Sequence, residues 1–195
     1  RCERAGTDDV DIRQRYGQLL DTLDEQQRDV ALYVLGRRGR SAAHTQRDLG
    51  RHVESISRKI QRPILTVASE FSEPKSLLVA YDGKRMTRGC ITLIAGNAAL
   101  ADLPVHVVMS GKQTNESEKQ LHWATETLVL GGFSVETAYL PGDPEQQIMR
   151  VLNDREIDIL VMGAYSQSPL RSLFFGSKTN DLLRASRVPT VTGHL

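Results

Sequence analysis

Between residues 77 and 192 short apolar runs alternate with segments of helical periodicity, and that alternation narrows the chain to one broad architecture. Leu77-Leu78-Val79-Ala80-Tyr81 is an apolar run that stops at Asp82-Gly83, as a strand buried on both faces does. Residues 87–101 carry Ile91, Leu93, Ile94 and Ala98 at helical spacing, and 105–109 form the next strand. Residues 115–130 place Leu121, Ala124, Leu128 and Val129 on one helical face before Gly131-Gly132, a common helix stop. Residues 133–140 read as a strand that alternates more, with Phe133, Val135 and Thr137. The pattern then predicts a helix over 144–154, opened by Pro144 behind an Asp143 N-cap. A strand over 157–162 ends at Gly163; a helix over 172–186 and a strand over 188–192 follow. Strands separated by helices of roughly 10–15 residues imply an α/β, Rossmann-like, doubly wound parallel sheet of five strands, in order 3-2-1-4-5.

A second copy of part of this unit lies upstream. Gly17 and Gly142, Gly36 and Gly163, Gly50 and Gly176, and Pro63 and Pro189 are separated by 125, 127, 126 and 126 residues. Four landmarks in near-constant register indicate duplication. The period is far longer than that of a solenoid repeat. The later copy has about 60 further residues upstream, Ser76 to Ser134, whereas the earlier has only Arg1 to Asp9. We therefore expect a tandem repeat whose first copy is truncated, with residues 1–70 as its later portion and 71–195 as a complete second domain. The chain has no initiator methionine, so the natural chain is expected to begin earlier.

Charge directs attention away from nucleic acid and membrane as partners. Lys plus Arg number 25 against 24 Asp plus Glu, a net charge of +1, so no long-range field draws the chain to a polyanion. No apolar run approaches the ~18 residues of a membrane span, and the opening Arg1-Cys2-Glu3-Arg4 has no signal-peptide apolar region. Cys2 and Cys90 match neither a metal spacing nor a redox pair. They read as free thiols in a reducing cytoplasm.

In a doubly wound sheet a ligand binds beyond the carboxyl ends of the strands, where strand order reverses. Here the first and fourth strands meet, and their ends carry Asp82-Gly83 and Gly163-Ala164-Tyr165-Ser166. Gly176-Ser177 follows near the start of the predicted helix over 172–186. Free N–H groups and the positive dipole end favour phosphate there, glycine permits close approach and the Ser177 hydroxyl adds a donor. Each feature also has a plainer reading. Gly163 and Gly176 can be turn residues, and Asp82 can be an N-cap.

The spacing resembles that of the universal stress proteins. Their ATP-binding members have glycine, two residues, glycine, nine residues, glycine and then Ser or Thr, with an Asp closing the first strand. Here Gly163 is followed at matching intervals by Ser166 and Gly176-Ser177. Val79-Ala80-Tyr81-Asp82-Gly83, Gly142-Asp143-Pro144 and Asp158-Ile159-Leu160-Val161-Met162-Gly163 are also similar to family segments, so the resemblance covers nearly the whole chain. It implies a stress-response protein that binds ATP, with or without Mg²⁺. Asp82 would hold the ribose hydroxyls, the backbone near Ser110 (or Val108) would meet the adenine edge, and Gly163, Ser166, Gly176 and Ser177 would cradle the phosphates.

Ser166 departs from the motif's glycine. A positive φ there would strain it, whereas a requirement for close approach alone would leave its hydroxyl free to touch phosphate. The earlier copy departs further. Gly36-Arg37-Arg38-Gly39 keeps the glycine pair, but ten residues precede Gly50 and Arg51 replaces the hydroxyl residue. Arg37, Arg38 and Arg40 read as a solvated basic turn or as phosphate-attracting charge.

Nothing in the sequence points to a catalytic or metal centre. It has no phosphate-binding G-x-x-x-x-G-K-[ST] loop, no G-x-S-x-G elbow and no metal spacing among His44, His52, His106, His122 and His194. ATP hydrolysis, if any, is expected to be slow for want of a base. His122 beside Trp123 reads as a helix-surface or partly buried pair. Tyr165 packs over either a ligand or the sheet edge. The alternative function is an interaction module of the same fold without nucleotide. Residues 64–67 and 188–191 would be its pairing edges, giving a homodimer or an intramolecular pairing of domains. Incomplete apolar strands in the first copy would promote self-association.

Overall fold

The computed structural model describes residues 10–36, 56, 59–67, 71–163 and 188–193. In chain order its elements are α1 (Leu19–Gln26), β1 (Tyr33–Gly36), β2 (Ile64–Val67), β3 (Leu77–Ala80) and α2 (Arg85–Ala95). A 3-10 turn (Ala98–Leu100), β4 (Val105–Ser110), α3 (Asn115–Leu130), β5 (Val135–Leu140), α4 (Pro144–Asp154), β6 (Ile159–Gly163) and β7 (Thr190–Gly193) follow.

Side chains alternate across a strand, and β3 uses both directions. Leu77 and Val79 enter one core with Cys90, Ile91 and Ile94 of α2 and Ala124 and Leu128 of α3. Leu78 enters the other, with Ile148 and Leu152 of α4 and Leu160 and Met162 of β6. The sheet is thus covered on both faces, which is why its central strands read as continuous apolar runs. Each such side chain removed from water contributes roughly 1.5–3 kcal/mol. β5, at the outer edge, is largely exposed, in keeping with its alternating sequence.

The sheet has seven strands in order β1-β2-β7-β6-β3-β4-β5. Counting β3 as first, the strands of residues 77–193 stand in the expected order 3-2-1-4-5, and all four of their contacts are parallel. The expectation of five strands needs correction. β2 runs antiparallel to β7, with Leu65 opposite Val191 and Thr66 opposite Thr190, and β1 joins β2 in parallel. The Thr66 hydroxyl donates to the Thr190 carbonyl at 3.0 Å within this buried seam. The two segments expected to be pairing edges therefore pair with each other inside one chain. A third core joins Leu23, Tyr33, Ile56, Ile60 and Ile64, and the Tyr33 hydroxyl donates to the Leu23 carbonyl at 2.6 Å.

Helix boundaries follow local chemistry. Asp143 caps α4 as expected, accepting from the Glu145 and Gln146 N–H groups. Thr114 and Ser117 form a reciprocal capping box on α3. α2 ends at Ala95, short of the expected 101, and the Asn97 side chain then accepts the Ala99 N–H to start the 3-10 turn. β6 begins at Ile159, two residues later than expected, because Ile157 belongs to the end of α4. Its N–H donates to the Leu152 carbonyl at 3.3 Å, and Glu156 adopts φ +48°. This is a Schellman closure, with Ile157 and Leu152 packed in the same core.

Cys90 is a free thiol in the α2 core, and burial pushes its pKa up to about 12. Its thiolate is the reactive form, so Cys90 should resist an aqueous disulfide reagent in the native chain and react promptly in denaturant. Peptide mapping of the labelled protein checks this; rapid native labelling at Cys90 would contradict the packing.

Candidate functional site

β3 ends at Ala80, and the Tyr81 N–H still donates to the Val108 carbonyl at 2.8 Å. The chain then turns through Gly83, whose φ of +72° is one that side-chain-bearing residues rarely adopt. Asp82 closes this turn, its Oδ1 accepting the Lys84 N–H at 3.1 Å, as Asx turns do. The first residue of α2 is Arg85 and its N-cap is Lys84, so Asp82 is not the N-cap. Thr87, the third residue of α2 and fully buried, donates its hydroxyl to the same Asp82 Oδ1 at 2.6 Å, with the Lys84 carbonyl oxygen a second acceptor at 3.1 Å.

β6 lies beside β3, with Met162 opposite Ala80, which brings its last residue, Gly163, to the Asp82 turn. A β-carbon added at Gly163 would stand 3.3 Å from Thr87 Cγ2 and 3.5 Å from Asp82 Oδ2. Thus Asp82 and Gly163, 81 positions apart in sequence, share one spot at the carboxyl end of the sheet. With glycine at 163, no β-carbon stands between the β6 backbone and this carboxylate.

Ser110 ends β4, the strand on the other side of β3. Its hydroxyl donates to the Gly142 carbonyl at 3.4 Å, on the side of β5 and away from Asp82. Its backbone remains at the same end of the sheet. Ser166, Gly176 and Ser177 lie outside the described residues, as do Tyr165, Arg37, Arg38 and Arg40.

A side-chain stack supports the Asp82 turn. The Tyr81 and Trp123 rings lie 6.4 Å apart at 29°. The Arg88 guanidinium sits 4.6 Å from the Trp123 ring centre and donates to the Tyr81 hydroxyl at 3.3 Å. Burial pushes the Tyr81 pKa up, and the Arg88 hydrogen bond opposes it. His122, beside Trp123, is exposed and pairs with Glu126 at 3.2 Å. Thr87, Gln120 and Arg88 did not emerge from sequence reasoning. The Gln120 side chain lies over Gly83, where a β-carbon would stand. Thr87 was in principle findable, since it follows Asp82 by five residues on the helix that begins behind it.

An open groove of about 740 Å³ is lined by Asp24, Glu25, Gln27, Arg28, Gln61 and Arg62. Arg62 donates there to the Gln27 and Arg28 carbonyls at 2.6 and 3.2 Å, so it closes the end of α1. None of the expected site residues lines this groove. Among the described residues no three His, Cys, Asp or Glu gather as a metal would need. No helix among them is long and apolar enough to cross a membrane.

Residues 74–192 match the model of the universal stress protein family. A universal stress protein of Synechocystis sp. is 35% identical over 192 residues, which is 97% of this chain and 67% of that protein. A universal stress protein of Archaeoglobus fulgidus superposes with a TM-score of 0.73 at 15% identity, over 97% of this chain and 70% of that one. Another, solved in complex with cAMP, superposes with a TM-score of 0.50 at 17% identity, over 63% of this chain and 98% of that one. With the family model covering more than half its length and a relative at this identity over nearly all of it, the chain belongs to the universal stress protein family.

Proposed function

We propose that this chain is a stress-response regulator that binds an adenine nucleotide, ATP with or without Mg²⁺, at the carboxyl ends of β3 and β6. The observation that carries this reading is the Asp82 carboxylate held against the bare backbone of Gly163. A fixed carboxylate accepts from vicinal hydroxyls, and hydrogen bonds to a charged group are the stronger kind. The site lies where strand order reverses, the place such sheets reserve for ligands. A structurally similar family member was solved with cAMP, itself an adenine nucleotide. Ser110 would supply backbone toward the adenine edge, and Ser166, Gly176 and Ser177 would supply the phosphate cradle. Regulation, rather than turnover, is the proposed role, with the reducing cytoplasm as its place.

Residues 1–70 are proposed to be the later portion of a first unit, and 71–195 a complete second one. The element order supports this: α1, β1 and β2 begin at Leu19, Tyr33 and Ile64, and α4, β6 and β7 at Pro144, Ile159 and Thr190. The β2–β7 seam would then be a contact between two units of one chain.

A ligand that binds only the folded state raises stability by about 2.7 kcal/mol at a hundredfold excess over its dissociation constant. Millimolar ATP–Mg²⁺ should therefore raise the thermal midpoint by several degrees, and GTP–Mg²⁺ should raise it less. An unchanged midpoint with ATP, or an equal rise with GTP, would contradict the adenine reading.

A further inference from the structure

We propose that Thr87 is a positioning residue for this site, holding the Asp82 carboxylate in the orientation that receives ribose hydroxyls. The inference rests on the nucleotide reading above. Three observations assign the role. The Thr87 hydroxyl makes a 2.6 Å bond to Asp82 Oδ1, the short distance of a charge-assisted O–H···O⁻ contact. Thr87 is fully buried and Asp82 half-buried, so the donor side of the bond is shielded from bulk water. Its methyl group packs toward Gly163, 3.3 Å from where a β-carbon would stand. One side chain therefore sets both walls of the site, the carboxylate by its hydroxyl and the β6 backbone by its methyl.

The geometry divides the work of the carboxylate. Oδ1 takes the Lys84 N–H and the Thr87 hydroxyl, and Oδ2 faces Gly163. The Thr87 bond, from the third residue of α2, adds a hold on Oδ1 beside that of the Lys84 N–H before any ligand arrives. Preorganisation of this kind improves affinity by cutting the ordering cost of binding. Its signature should appear only in ligands whose hydroxyls use the carboxylate.

The test compares ATP with 2′,3′-dideoxy-ATP, each with Mg²⁺, on the full chain by calorimetry. The unmodified chain should prefer ATP by about 10- to 100-fold, as one or two hydrogen bonds to a charged group predict. Thr87→Val keeps the shape and the methyl contact but removes the donor. It should leave dideoxy-ATP affinity nearly unchanged and cut the preference for ATP to a few-fold. Thr87→Ser restores the donor and should restore the preference, and Thr87→Ala serves as a second donor-free variant should the valine fold poorly. A role in stability alone would weaken both ligands together. An intact preference in the folded donor-free variants, with Asp82→Ala abolishing it, would overturn the positioning role and leave the nucleotide reading standing. Equal binding of both ligands by the unmodified chain would overturn the ribose contact and with it the positioning role, whereas no binding of either would overturn the nucleotide reading itself.

Discussion

Gly131→Ala is expected to destabilise the chain by about 1–3 kcal/mol, whereas Gly96→Ala should be neutral or stabilise it by up to about 1 kcal/mol. The two glycines make a matched pair. Gly131 follows α3 at φ −77°, ψ 0°, and Gly96 follows α2 at φ −83°, ψ −1°. Alanine accepts that conformation at either place, so backbone strain does not separate them. Space does. A β-carbon at Gly131 would stand 2.6 Å from the Ala95 carbonyl oxygen and 2.9 Å from Ala95 Cα, whereas at Gly96 its nearest neighbour is 3.5 Å away. The obstacle at Gly131 is backbone, which cannot swing aside as a side chain does, so the ends of α2 and α3 must part. Since α2 and α3 share one core, that movement loosens Cys90, Ile94 and Leu128 together. For a chain of this length about 2–4 °C of thermal midpoint accompanies each kcal/mol. Midpoints in the order Gly96→Ala, unmodified, Gly131→Ala, highest first, would fit; a Gly131→Ala midpoint at or above that of the unmodified chain would contradict the close approach.

Asp82→Ala should weaken ATP by on the order of 100-fold. Two hydrogen bonds to a charged acceptor, each contributing about 1.5 kcal/mol net, account for that figure at about 1.4 kcal/mol per tenfold. The substitution also takes the Oδ1 acceptor from the Lys84 N–H and the Thr87 hydroxyl, which should lower stability by about 1 kcal/mol. Asp82→Asn keeps an acceptor oxygen but loses the charge, so it should fall between the two. An affinity equal to that of the unmodified chain in Asp82→Ala would exclude the carboxylate from the site.

Features set by neighbours in sequence were the legible ones. α4 spans 144–154 as expected because Pro144 and Asp143 mark its start in the chain itself, and α3 ends at Leu130 where Gly131-Gly132 stands. The strand order of residues 77–193 followed from the alternation of elements. Features set by distant contacts were legible only in part. Residues 64–67 and 188–191 stood out as pairing edges, but the joining of seven strands into one sheet depends on the β2–β7 ladder, whose partners lie 124 or more residues apart. The late start of β6 depends on a Schellman closure with glutamate where glycine is usual. Within the site, strand order was enough to predict that Asp82 and Gly163 meet. The direction of the Ser110 hydroxyl toward Gly142 arises from side-chain geometry that no spacing rule encodes, whereas the grip of Thr87 on Asp82 had a sequence signal in its place five residues on.

The central claim is nucleotide binding at the Asp82–Gly163 site, and calorimetric titration of the unmodified chain with ATP and Mg²⁺, beside Asp82→Ala, tests it most directly. Micromolar binding by the unmodified chain that weakens by on the order of 100-fold in the variant is the predicted result. No heat of binding from the unmodified chain would contradict it, and Ser166→Gly, which restores the family's glycine, would be the first variant to titrate next.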